Sequence, residues 1–151
     1  MVKFTSSTLI FLALFVSSHA KAALGQKEDS CEHDRAALGG QRTMLSQNSF
    51  RVHMIKANGD VIREYVSLAS GSVFAITWRG LAHPNLSVLL GEHYPEFIQA
   101  AVNTPASQGR APMGIKTSRA VVLRGGHMRD VHGRAYAPDL IPSGVNPENL
   151  Q

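Results

Sequence analysis

The stretch Arg51–Gly80, RVHMIKANGDVIREYVSLASGSVFAITWRG, decides the fold, because it reads as three strands joined by two tight turns. Phe50, Val52 and Met54 alternate with Arg51 and His53, the period of two expected when one strand face is buried. Asn58-Gly59 follows, and both residues tolerate the positive φ that a two-residue hairpin turn needs. Val61 to Val66 is the second strand, Ala69-Ser70-Gly71 the second turn, and Ser72 to Trp78 the third strand. Strict alternation puts Phe74, Ile76 and Trp78 on one face of that strand and Val73, Ala75 and Thr77 on the other. Both faces are largely apolar, which places the strand centrally in its sheet. The Phe74/Ile76/Trp78 side is expected to hold the main core, each buried side chain contributing about 1.5–3 kcal/mol.

Upstream, Lys3, an apolar run from Leu9 to Val16 and small residues around Ser18-His19-Ala20-Lys21-Ala22 make a secretory signal peptide. It covers residues 1–22, with cleavage expected after Ala20 or Ala22. Its apolar run is too short for a permanent span, so the mature chain is expected to have no transmembrane segment. The residues before Cys31, Lys27-Glu28-Asp29-Ser30, lack the small apolar character of a lipoprotein cleavage site. The expected location is therefore periplasmic or secreted. Loss of Lys3 lowers the formal charge from +4 to +3, and a cut after Ala22 that also removes Lys21 gives +2, a mildly basic mature protein either way. Cys31 is the only cysteine, so no internal disulfide can form, and in an oxidising compartment a Cys31-linked dimer is expected.

Residues 23–48 read as a loosely ordered segment with one short helix, Cys31 to Leu38, capped by Ser30 and ended by Gly39. A polar connection, Gln41 to Ser49, leads into a single domain over 49–137. Asn85 is a good helix N-cap, and Leu86, Leu89, Leu90, Tyr94, Phe97, Ile98 and Ala101 follow at helical spacing. Pro95 must kink or split that helix. Residues 103–118 are rich in Pro, Gly and Ser and read as a loop. Ala120 to Leu123 and His127 to Tyr136 then form a hairpin closed by Gly125-Gly126, and 138–151 is a Pro-containing tail. The fold class is α+β: an antiparallel sheet of about five strands (the three-stranded meander plus the C-terminal hairpin) with one long kinked amphipathic helix packed on it.

A family likeness rests on an ordered set of motifs. They are Ala-Leu-Gly-Gly (37–40), Arg-Glu-Tyr-Val-Ser (63–67), Val-Phe-Ala-Ile-Thr-Trp-Arg-Gly (73–80), Leu-Leu-Gly (89–91), Gly-His-Met-Arg (126–129) and Gly-Arg-Ala-Tyr (133–136). Together they resemble a family of exported proteobacterial proteins catalogued only as a domain of unknown function. The family pattern favours Gly-Pro and Pro-Asp-Leu where this chain has Gly80-Leu81 and Pro84-Asn85-Leu86. The resemblance implies export and a shared fold, and it supplies no catalytic residues.

The chain has no nucleophile elbow, zincin helix, Cys-x-x-Cys pair or phosphate-binding glycine loop, so no cofactor and no metal are expected. Its remaining chemical signal is charge. From Arg110 to Arg134 there are six basic residues against Asp130 alone, a local net of +5. Arg124, His127 and Arg129 around the expected Gly125-Gly126 turn are the candidate ligand-binding residues. They would suit an anionic envelope component, either a lipid head group or an acidic polysaccharide. Nucleic acid is not expected, since no aromatic residues interleave with the basic ones. The leading function is a non-catalytic binding or accessory module. The alternatives are a small envelope hydrolase using His127, Asp130 and Arg129, and a structural subunit of an envelope assembly. Export carries its own test: intact-mass measurement on protein from the exporting host should show loss of Met1 to Ala20 or Met1 to Ala22, and a retained N-terminus overturns the leader.

Overall fold

The computed structural model describes residues 24–104 and 113–151. The signal-peptide reading and the middle of the 103–118 loop lie outside them. The meander forms as expected. Strands β2 (Phe50–Ala57) and β3 (Asp60–Ser67) flank the Asn58-Gly59 turn, whose φ angles are 53° and 86°. Here only Gly and Asn sit comfortably at positive φ.

The sheet is antiparallel and has seven strands rather than about five. Two were missed. Strand β1 (Gln41–Ser46) occupies the expected polar connection, and β5 (Met113–Lys116) lies in the expected loop. With β4 (Val73–Gly80), β6 (Val121–His127) and β7 (Asp130–Tyr136), the order is β1-β2-β3-β4-β7-β6-β5. The tryptophan strand β4 is therefore central. β1 pairs with β2 from Gln41↔Lys56 to Ser46↔Arg51, yet every one of its side chains is exposed. It is held by its backbone ladder, so it carries no hydrophobic alternation by which a strand is recognised.

The C-terminal hairpin turns three residues later than expected. Its turn is Met128-Arg129, with Arg129 at φ 66°, and Gly125 and Gly126 pair with His132 and Val131 inside the ladder. This register sets Val122 against Ala135, and both are buried. A Cβ on Gly126 would collide with the Asp130 carbonyl, so glycine there serves close strand approach rather than the turn.

A β-bulge divides the core between the two faces. Tyr65 pairs with Ala75 and Val66 with Val73, which leaves Phe74 without a partner. The extra residue shifts the alternation, so Phe74 does not share a face with Ile76 and Trp78 as expected. Val73, Ile76 and Trp78 pack with Ile55, Ile62, Val122 and Ala135 beneath the helices. Phe74 and Ala75 pack on the opposite face with Val52, Tyr65 and Leu150. The rings of Tyr65 and Phe74 stand edge-on to Phe50 at 5.8 and 5.9 Å.

The tail folds over this second core through 3-10 turns at Pro138–Leu140 and Pro147–Asn149. The Tyr65 hydroxyl donates to the Gln151 main-chain oxygen at 2.6 Å.

The expected single helix is two. Helix α2 (Leu86–Leu90) starts at Asn85, whose Oδ1 accepts from the Ser87 N–H, and a 3-10 turn at Gly91–His93 leads into α3 (Tyr94–Asn103). The break falls at Gly91, at φ 49°, and Pro95 sits in the first turn of α3, where its missing N–H is not needed. Leu86, Leu89, Leu90 and Phe97 are the apolar residues this layer buries on the sheet. Helix α1 (Ser30–Leu38) begins one residue early, with Asp29 at the cap position, and ends at Gly39 with φ 67°. No helix among the described residues is long and apolar enough to cross a membrane.

Trp78 is 2 % exposed, and its Nε1 donates to His83 Nδ1 at 3.0 Å. Trp78→Ala should destabilise the protein by about 3–5 kcal/mol through the cavity it leaves. Urea unfolding should show a lowered midpoint with an unchanged slope; an unshifted midpoint would contradict the burial.

Candidate functional site

The tail covers only half of the sheet face opposite the helices. On the uncovered half lies a cleft of about 520 Å³, lined by Arg63, Thr77, Arg79, Leu123, His132 and Arg134 among others, with Leu150 and Gln151 at the tail end. Strand pairing builds it directly. Arg63 of β3 lies opposite Thr77 of β4, and Thr77 lies opposite Arg134 of β7. In the next row Arg79 lies opposite His132. Neighbouring strands run about 4.8 Å apart, so Arg63 and Arg134 stand roughly 10 Å apart at their backbones, across Thr77. Their long side chains can converge on one anion between them.

One carboxylate faces this group. Arg79 holds Asp130 in a two-pronged pair, Nε to Oδ1 at 3.0 Å and Nη2 to Oδ2 at 3.2 Å. That hydrogen-bonded pairing holds the Asp130 carboxyl below its ordinary range. Arg134 donates to the Pro147 carbonyl at 3.1 Å, which ties the cleft to the tail. Among the described residues no carboxylate pairs with Arg63 or Arg134. The cleft thus keeps two guanidinium groups free of acidic partners beside a neutralised third.

The residues singled out from the sequence are not brought together. Arg124 pairs with Gly133, and its guanidinium lies 5.5 Å over the Phe97 ring, donating to Met113 Sδ at 3.0 Å. It thus packs toward the helices. His127, three positions along the same strand, falls on the other face, opposite Asp130 at the hairpin end. Arg129 is in the turn itself. The hydrolase grouping fares no better, because Asp130 gives both oxygens to Arg79 rather than orienting His127. Arg119, from the same basic run, sits 3.8 Å from Glu92 and 3.7 Å from Glu96. Of that run, Arg134 and Arg124 both line the cleft, Arg124 with its guanidinium turned to the Phe97 ring. Nothing local in the sequence marks Arg63, Thr77, Arg79 and His132 as a site. Their signal is alternation with the buried Ile62, Trp78 and Ala135 and with Gly133, and it has meaning only once β4 is known to pair with β7.

Cys31 is fully buried under α1, and burial, reinforced by Glu64 and Asp34, pushes its thiol well above the ordinary range. The expected Cys31-linked dimer is therefore corrected: the sulfur is out of reach of another chain while the fold is intact. Among the described residues no group of three or more His, Cys, Asp or Glu is placed to hold a metal ion.

Fold and cleft together define an α+β domain built on an antiparallel sheet, with a basic patch on the half of one face that no layer covers. A family model described as "Protein of unknown function (DUF2844)" matches residues 20–150, and the chain belongs to that family. No curated protein and no solved structure matches it.

Proposed function

We propose that this protein is an exported, non-catalytic binding module that holds an anionic group, phosphate or carboxylate, on the uncovered half of its sheet. The observation that carries the reading is the Arg63–Thr77–Arg134 row, two guanidinium groups flanking Thr77 with no carboxylate partner among the described residues. Guanidinium forks match the geometry of both anions. Export rests on the amino-terminal leader read from the sequence. The natural ligand would be an anionic component of the envelope, a lipid head group or an acidic polysaccharide.

Calorimetric titration of the mature protein with inorganic pyrophosphate tests the cleft, and vesicles with and without an anionic lipid test the source of the anion. Hydrogen bonds to charged groups contribute about 1.5–3 kcal/mol each, so Arg63→Ala/Arg134→Ala should weaken binding by at least about tenfold. Binding should also fall as salt is raised. Arg119→Ala/Arg129→Ala should leave affinity within about twofold, since neither residue lines the cleft. Equal losses in the two double variants, or binding indifferent to salt, would reject the cleft.

A second reading, a subunit of an envelope assembly, is favoured by the bare edge strand β1. Met44 and Leu45 there are 55 % and 57 % exposed, and an exposed apolar edge is a template for strand pairing. Sedimentation velocity should then show concentration-dependent association that Met44→Lys/Leu45→Lys abolishes. A wild-type chain that stays monomeric throughout removes self-assembly from this reading.

A further inference from the structure

Asp34 on α1 and Glu64 on β3 are each 1 % exposed. None of their four oxygens meets a hydrogen-bond donor among the described residues. The two carboxyls are neighbours, and Cys31 lies beside them. The cations of the surrounding elements are committed elsewhere. Arg42 of β1 is 3.3 Å from Glu32 on the exposed side of α1. His53 of β2, directly across from Glu64, lies with its Nε2 2.7 Å from Glu28, which Arg51 also holds at 2.6 Å. Two neighbouring carboxyls removed from water are not both ionised, so Asp34 keeps its proton.

The rest of the α1 interface is thin. The residues it buries are Ser30, Cys31 and Asp34, with Leu38 half-buried. A helix with so little apolar burial belongs to the low-stability end of a fold. Its docking therefore depends on how the acid pair is satisfied.

We propose that α1 is a proton-held latch over β2 and β3: it is docked while Asp34 and Glu64 share a proton, and its release uncovers Cys31. When α1 lifts, Asp34 returns to water, where its proton leaves above about pH 4. Docked, burial and the adjacent Glu64 push the Asp34 carboxyl up to about 10. Since the docked value is the raised one, this contribution to docking is complete below about pH 4 and is lost as pH climbs toward the docked value. The latch is tightest in acid. Across neutral pH the open form takes one proton fewer, so the opening constant rises by up to about tenfold per pH unit.

Hydrogen exchange on the full mature chain tests this across about pH 5 to 8, inside the window where docked and open forms differ in protonation. Rates are corrected for intrinsic base catalysis, under conditions where closing outpaces exchange. Opening of the α1 amides should steepen with pH as stated, while local opening of α3, which frees neither carboxyl, should stay flat. Asp34→Asn should flatten the α1 profile, and alkylation of Cys31 should track α1 opening in both proteins. If Asp34→Asn does not fold, Glu64→Gln carries the same test, because its amide can donate to an ionised Asp34 and remove the need for a proton. A flat wild-type profile, or a slope that survives substitution, overturns the latch.

Discussion

The contact between Trp78 and Gly133 is the constraint on which the rest of the architecture depends. A side chain on Gly133 would collide with the Trp78 indole ring, so β7 can lie against β4 only because residue 133 has none. That seam joins the meander to the C-terminal hairpin and makes one sheet of two local units. It also sets the register that places Arg134 beside Thr77 and His132 beside Arg79. Slipping it by one residue would turn Arg134 and His132 toward the helices and Ala135 toward solvent. Core and cleft are therefore specified by the same pairing.

The sheet treats its charged groups in two ways, according to what covers them. On the face opposite the helices, the tail protects Tyr65, Phe74 and Ala75, while Arg63 and Arg79 stand where no layer lies above. Arg134, at the border, reaches both the cleft and the Pro147 carbonyl. Water remains available to these guanidinium groups, so they keep their charge at little cost. Under α1 the reverse holds. Asp34 and Glu64 are shut away from water without hydrogen-bond donors, and the economical solution is to hold a proton. The same removal from water keeps Cys31 a neutral, unreactive thiol despite its standing as the only cysteine.

The bulge at Phe74 makes these two environments compatible. By adding one residue to β4 it delivers Val73 and Ile76 to the helix side and Phe74 with Ala75 to the tail side. The aromatic cluster of Phe50, Tyr65 and Phe74 then gives the tail an apolar platform to fold on. The tail in turn closes one end of the cleft, with Leu150 and Gln151 in its wall.

By itself the sequence determined the local events: the Asn58-Gly59 turn, the three strands around it, the cap at Asn85, the stop at Gly39, the central place of the Trp78 strand and the family. These follow from φ preferences and side-chain alternation acting over a few residues. Only tertiary structure decided which residues share a face and which strands meet. Gly125-Gly126 reads locally as a turn, but the buried pairing of Val122 with Ala135 carries the turn on to Met128-Arg129. β1 shows no alternation because no layer packs on either of its faces. The basic run of 110–134 is contiguous in the chain, yet its members part to the helix side, the turn and the cleft, while Arg63 and Arg79 join Arg134 from strands far away in sequence. Face and register are set by packing partners tens of residues away, and no local preference carries that information.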